Sequence, residues 1–191
     1  MDNLGIARIF TDIGDLLEIK GANPFKIRAY RNAADIVGHM AEPIADLGDA
    51  EVRALPGIGK DLTAKIRELI DTAALAYYDE LRQEFPPTIL EMLRLQGVGP
   101  KTVAALYGEL GIETLDDLET AATEGRVRTL KGMGPKKEQL LLRSLAEHRR
   151  RVGRHLIGHA DQVAGRVIDY LRADAPATTI FERSTTRMKN V

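Results

Sequence analysis

A chain of 191 residues, 44% hydrophobic and 29% charged, has the composition of a folded globular protein and is long enough to bury a core. The absence of cysteine excludes disulfides and thiolate metal sites. Met1-Asp2-Asn3-Leu4 begins no basic-then-apolar leader and no apolar run matches a bilayer span, so a cytoplasmic protein without membrane contact is expected, although a net charge of -1 argues against a polyanionic partner.

Ile6, Ile9, Phe10, Ile13, Leu16 and Leu17 recur at helical spacing and predict a first helix. Asn23-Pro24 reads as a helix start, with Asn as N-cap and Pro at the first helical position. That helix carries Phe25, Ala29, Ala33, Ile36, Val37 and Met40, and Pro43 breaks it. A short apolar segment from Val52 to Leu55 leads into a glycine turn, and a helix from about Lys60 to Thr72 follows. Leu75, Tyr78 and Leu81 begin another helix, and Pro86-Pro87 reads as a linker. Beyond it come Ile89 to Leu95, a second glycine turn and a helix from Pro100. Thr114 and Asp117 have the spacing of a capping box. A third glycine turn precedes a long helix from Pro135 to about Arg151. Leu156, Ile157, Val163, Val167, Ile168 and Leu171 predict one more helix, and Thr178 to Phe181 a short strand. The expected fold is all-α, in two small helical domains with a short β-like C-terminal tail.

Charge is unevenly spread. From Glu109 to Glu124 every charged residue is acidic. From Arg126 to Arg154 the bases are Arg126, Arg128, Lys131, Lys136, Lys137, Arg143, Arg149, Arg150, Arg151 and Arg154, opposed only by Glu138 and Glu147. A nearly neutral chain can therefore turn a basic face to phosphates, although a solvated Arg-rich helix is the plainer account of the run alone.

The chemistry rests on a repeat. Leu55-Pro56-Gly57-Ile58-Gly59, Leu95-Gln96-Gly97-Val98-Gly99 and Leu130-Lys131-Gly132-Met133-Gly134 share one frame, each followed by a helix. The frame predicts a helix-hairpin-helix turn. Both glycines are expected to take backbone angles barred to other residues and to let a ligand come close. The middle residue (Ile58, Val98 or Met133) anchors the turn inward. The second glycine opens a helix whose free N–H groups and dipole attract an anion. Pro100 and Pro135 sit where a missing N–H costs nothing, and Lys60, Lys101, Lys136 and Lys137 add charge at the same end. Such a site accepts a DNA phosphate without reading a base. One Gly-x-Gly before a helix is equally the mark of a plain helix corner. Three copies, each with a base just after, favour the phosphate reading. A dinucleotide site is excluded, since no third glycine follows Gly59 at the required offset and no strong strand precedes Gly57.

Gly21-Ala22-Asn23-Pro24-Phe25-Lys26-Ile27-Arg28-Ala29-Tyr30-Arg31-Asn32-Ala33-Ala34, then the first hairpin with Lys60, then Tyr77-Tyr78-Asp79-Glu80-Leu81, the other two hairpins and Arg154-His155-Leu156-Ile157-Gly158 together resemble the amino-terminal part of family X DNA polymerases, the bacterial branch most closely. The resemblance covers nearly all of the chain. It implies a lyase-type helical domain over 1–84 with the first hairpin, a tandem hairpin domain gripping DNA over 85–156, and a helix plus the start of a palm over 157–191. It also implies that hairpin carbonyls hold a monovalent cation, K+ or Na+: those of Arg53, Leu55 and Ile58, and those of Leu93, Leu95 and Val98.

Family X polymerases continue into a palm with a Gly-Ser turn and paired aspartates that bind two magnesium ions. Here the matching stretch reads Glu182-Arg183-Ser184-Thr185-Thr186-Arg187-Met188-Lys189, without those aspartates, so no Mg2+ site and no polymerisation by this chain are expected. The resemblance likewise does not extend to the histidine-rich phosphoesterase domain of bacterial members, which is not expected in this chain. The animal members' amino-terminal domain removes a 5′-deoxyribose phosphate through a Schiff-base lysine. The resemblance puts Lys65 at that nucleophile's position, Lys26 and Tyr30 at positions that support the phosphate and the lysine, and Phe25 where it can stack on a base. Asp61 and Asn32 depart from basic positions of the animal proteins and weaken the phosphate pocket; the bland alternative for Lys65 is an ordinary exposed helix lysine. His155 and His159 share a helical face, but no third ligand accompanies them.

The expected function is sequence-nonspecific binding of gapped, nicked or duplex DNA in repair, in a nucleoid-associated protein. The alternatives are a deoxyribose-phosphate lyase using Lys65, or one piece of a split or truncated polymerase needing a palm-bearing partner.

Overall fold

The computed structural model describes residues 1–151. Helix α1 (Asn3–Ile19) begins where the Asp2 carboxylate accepts the Gly5 N–H at 2.8 Å. Helix α2 (Pro24–His39) begins where Asn23 accepts the Phe25 N–H at 2.8 Å, as Asn-Pro predicts. Ile6, Phe10, Ile13, Leu16 and Leu17 of α1 pack against Ile27, Tyr30, Ala33, Ala34 and Val37 of α2. Burying a large apolar side chain of this kind contributes about 1.5–3 kcal/mol. Phe25 lies off that stripe and is 75% exposed.

Past Pro43, a 3-10 turn (Ile44–Asp46) is pinned to α1 by Asn3, which accepts the Ile44 N–H and donates to the Glu42 carbonyl, both at 2.8 Å. The segment entering the first glycine turn is a short helix, α3 (Asp49–Ala54), which the apolar run alone did not reveal. Glu51 supports its start by accepting the Gly48 N–H. Helix α4 (Lys60–Thr72) has the bounds its periodicity predicts. Helix α5 (Ala76–Gln83) is tied to α1 by the Tyr78 hydroxyl, which donates to Asp12 at 2.7 Å.

Helices α6 (Ile89–Met92), α7 (Pro100–Leu110) and α8 (Leu115–Thr123) follow. The capping box at α8 forms as expected: Thr114 and Asp117 exchange backbone-to-side-chain bonds of 3.0 Å each. A second 3-10 turn (Val127–Thr129) leads to the third glycine turn, and α9 runs over 135–151. Met1–Leu145 forms one compact unit, in which α1 also packs against α7. A second unit begins at Ala146, and its described residues, 146–151, are helical. The described residues contain no strand and no helix long and apolar enough to cross a membrane. The further helix around Leu156 to Leu171, the strand at Thr178 to Phe181, and His155 and His159 lie outside the described residues.

Candidate nucleic-acid interface

The three hairpins share one backbone geometry. In each, the N–H of the anchoring residue donates back to the carbonyl three residues earlier: Ile58 to Leu55 at 3.1 Å, Val98 to Leu95 at 3.2 Å, Met133 to Leu130 at 3.0 Å. The third residue of each turn is glycine with φ of +75°, +80° and +82° at Gly57, Gly97 and Gly132. A positive φ at that place is what a type II turn demands, and glycine meets it without steric cost. Ile58, Val98 and Met133 are buried, so the turns are fastened to the core while their backbones face solvent.

The second glycines differ from expectation. Gly59 (φ -88°, ψ -177°) and Gly99 (φ -107°, ψ 175°) are extended, a conformation open to any residue. Each is an N-cap, and the helix starts one residue later. A Cβ added at Gly59, Gly99 or Gly134 would meet nothing within 4 Å, so packing does not demand glycine either. Without a side chain, these glycines leave the approach to the first helical N–H groups open. No side chain caps α4 or α7, which leaves those donors for a ligand.

Lys60, Lys101, Lys136 and Lys137 are exposed on the first turns of α4, α7 and α9. Lys137 folds back, its ammonium donating to the Gly132 carbonyl at 2.6 Å, and so holds its charge at its own hairpin. The carbonyls of Leu55 and Leu95 each accept their turn's N–H and keep a second lone pair.

Two buried side chains brace the tandem, and neither was evident from sequence. Ser144 accepts the Gln96 N–H at 2.7 Å, tying the second hairpin to the helix that follows the third. Glu138 is 2% exposed and accepts the Arg128 N–H at 2.9 Å and its guanidinium at 2.8 Å. Arg128 therefore serves the fold, and Arg126 pairs with Glu124 at 2.8 Å, so the basic run is narrower than its composition suggests.

Around the first hairpin, the fold gathers Lys26 and Tyr30 of α2, Lys65 of α4 and Tyr77 of α5. The Lys26 and Lys65 ammonium groups lie 4.7 Å and 5.3 Å from the centre of the Tyr77 ring. Tyr77 stacks on Tyr30 with centroids 6.1 Å apart and planes 11° from parallel, and Tyr30 meets Phe10 edge-on at 5.6 Å. Tyr30 is 2% exposed and its hydroxyl has no hydrogen-bond partner among the described residues. Burial, then the neighbouring Tyr77 and Asp61, pushes its pKa well above the usual phenol range. The Lys65 side chain is only 16% exposed, with its ammonium 2.5 Å from Asp61. It is thus not the ordinary exposed lysine of the bland reading. Phe25 remains outside this cluster, in solvent, with the Arg28 guanidinium 5.8 Å from its ring centre. Among the described residues, no three His, Asp or Glu side chains are grouped to hold a metal ion.

Residues 1–75 match the helix-hairpin-helix domain model, and residues 89–147 match the SAM-like helix-hairpin-helix tandem model. The first match contains hairpin one, and the second contains hairpins two and three. Over 171 residues, 90% of its length, the chain is 33% identical to DNA polymerase/3'-5' exonuclease PolX of Bacillus subtilis (strain 168). The chain spans 30% of that relative's length. It carries helix-hairpin-helix domains, which indicate DNA binding, and it resembles the amino-terminal part of a family X DNA polymerase.

Proposed function

We propose that this chain holds gapped or nicked DNA by its sugar-phosphate backbone, without sequence preference, in DNA repair. The observation that carries the reading is the repeated turn: three positive-φ glycines, three anchored apolar residues, and second glycines that leave the following helix starts open. Gly57, Ile58, Gly59 and Lys60 form one phosphate site, Gly97, Val98, Gly99 and Lys101 the second, and Gly132, Met133, Gly134, Lys136 and Lys137 the third. The carbonyls of Arg53, Leu55 and Ile58, and of Leu93, Leu95 and Val98, would hold a K+ or Na+ ion, which would supply positive charge toward a phosphate. The working division is 1–84, 85–156 and 157–191, with the first domain at a DNA end and the second on the duplex. Fluorescence anisotropy with gapped, nicked and intact duplexes of scrambled sequence tests this. Tighter binding to the interrupted duplexes, equal across sequences, is expected; equal affinity for all three structures removes the repair reading.

A second reading is favoured by the clustering of Lys26, Tyr30 and Lys65, which come from two helices and share one aromatic platform. In it the chain is a deoxyribose-phosphate lyase. Lys65, once its ammonium has given a proton to solvent, bonds through its nitrogen to the C1′ aldehyde carbon, and the aldehyde oxygen leaves as water. A C2′ proton is then lost as the C3′–O bond breaks and the phosphate departs, and hydrolysis of the imine frees the lysine. Borohydride trapping on DNA with an incised abasic site tests it. A covalent adduct with the wild type that Lys65→Ala lacks is expected; equal background with both removes the reading.

A further inference from the structure

We propose that Tyr77 is a positioning residue for the aldehyde-reactive lysine, its ring serving as the platform that holds Lys26 and Lys65 in one pocket. The inference rests on the lyase reading and adds to it a residue outside the set of site residues the family resemblance marks. Four observations meet at this ring. Two ammonium groups from different helices approach it at 4.7 Å and 5.3 Å, within the reach at which an aromatic face attracts a cation. The ring is fixed, because it stacks nearly parallel on Tyr30, which is itself buried against Phe10. The Tyr30 hydroxyl is buried in the same cluster and has no hydrogen-bond partner among the described residues, so an apolar environment surrounds the ring stack. Asp61, which pairs with Lys65, is 75% exposed at its side chain, so the carboxylate can swing away while the ring stays.

The division of labour follows. An incised abasic end presents a phosphate and an aldehyde on one sugar. Lys26 serves the phosphate, Lys65 the aldehyde carbon, and Tyr30 backs the ring that holds both. Tyr77 touches neither reacting atom in this scheme. A long lysine side chain has many rotamers open to it, and the ring narrows that choice before substrate arrives.

The full chain is tested as wild type, Tyr77→Phe and Tyr77→Leu, with two probes. Pyridoxal phosphate, which carries an aldehyde and a phosphate, is reduced onto lysines with borohydride and mapped by peptide mass spectrometry. The second probe is the trapped adduct on incised abasic DNA. Tyr77→Leu is expected to lower Lys65 labelling and the trapping kcat about fivefold to tenfold with KM little changed, and Tyr77→Phe to restore both. Equal labelling in all three proteins, or equal loss in Phe and Leu, overturns the proposal. In case Tyr77→Leu fails to fold, proton NMR of the wild type decides: upfield ring-current shifts of the Lys26 and Lys65 ε-methylenes support the platform, and ordinary positions overturn it. Pyridoxal labelling of Lys65 that depends on the ring, without any DNA adduct, removes the lyase reading and leaves the positioning role standing.

Discussion

The first hairpin and the tandem that carries the other two use the same turn in different electrostatic settings. In the first, Asp61 stands in the opening turn of α4 beside Lys60 and pairs with Lys65. In the second, the opening turn of α7 holds no acid and presents Lys101. In the third, Glu138 is the acid, but it is buried and spent on Arg128, leaving Lys136 and Lys137 outside. The backbone repeats the same turn three times, and its charged neighbours differ each time. An acid at a helix N-terminus competes with a phosphate for the same dipole and N–H groups. On the proposed reading, the tandem is the grip on DNA, and the first hairpin mainly places the lysine–tyrosine cluster.

That contrast can be broken at several points. The largest effect is expected for the pair Lys101→Glu with Lys136→Glu, which should weaken gapped-duplex affinity about a hundredfold in anisotropy titrations at low salt. Lys60→Glu, next to an acid already present, should cost only about threefold. Equal losses at the two places would erase the distinction between the hairpins. Asp61→Asn should raise the rate of borohydride-trapped adduct about threefold, since Lys65 loses its ionic partner while the ring remains. A slower rate would make Asp61 part of the lysine's machinery instead. Glu138→Ala should lower stability by about 2 kcal/mol in urea unfolding and should weaken the third hairpin before the first, as it strips a buried acceptor from Arg128.

The smallest effect concerns acid. Hydrogen bonds from Thr114 hold the Asp117 carboxyl below its ordinary value. Its folded pKa lies under the unfolded one, so its contribution is present above about pH 4 and is lost as pH falls toward the folded value. Asp117→Asn should flatten that part of the acid-unfolding curve. Asp15 works the other way, because burial raises its pKa despite Arg31, and its contribution is lost as pH rises through that value.

Much of this was legible in the sequence for a plain reason: helix starts and glycine turns are local. Asn23-Pro24, Thr114 with Asp117 and the three glycine frames each carry their own structure within a few residues, and the fold forms all of them. The short helix α3 was not legible, because Val52 to Leu55 is too brief to show a period. The extended backbone of the second glycines was not legible, since composition cannot separate a positive φ from an open approach. Tyr77, Ser144 and Glu138 act across distant segments, so no spacing marks them. The one available signal was Glu138, a lone acid next to two lysines in a basic stretch. Lys26, Tyr30 and Lys65 were marked only through the family resemblance; that they meet around one ring is a property of the fold.

The central claim is that the open glycine approaches carry the DNA phosphates. It is tested most directly by titrating one gapped duplex with wild type and with Gly59→Val, Gly99→Val and Gly134→Val combined, from about 50 to 200 mM KCl. The wild type should show a steep fall of affinity with salt, a log–log slope of roughly -3 or beyond. The variant, folded by circular dichroism, should bind weakly with a slope near zero. A variant that keeps the wild-type affinity and slope would contradict the account.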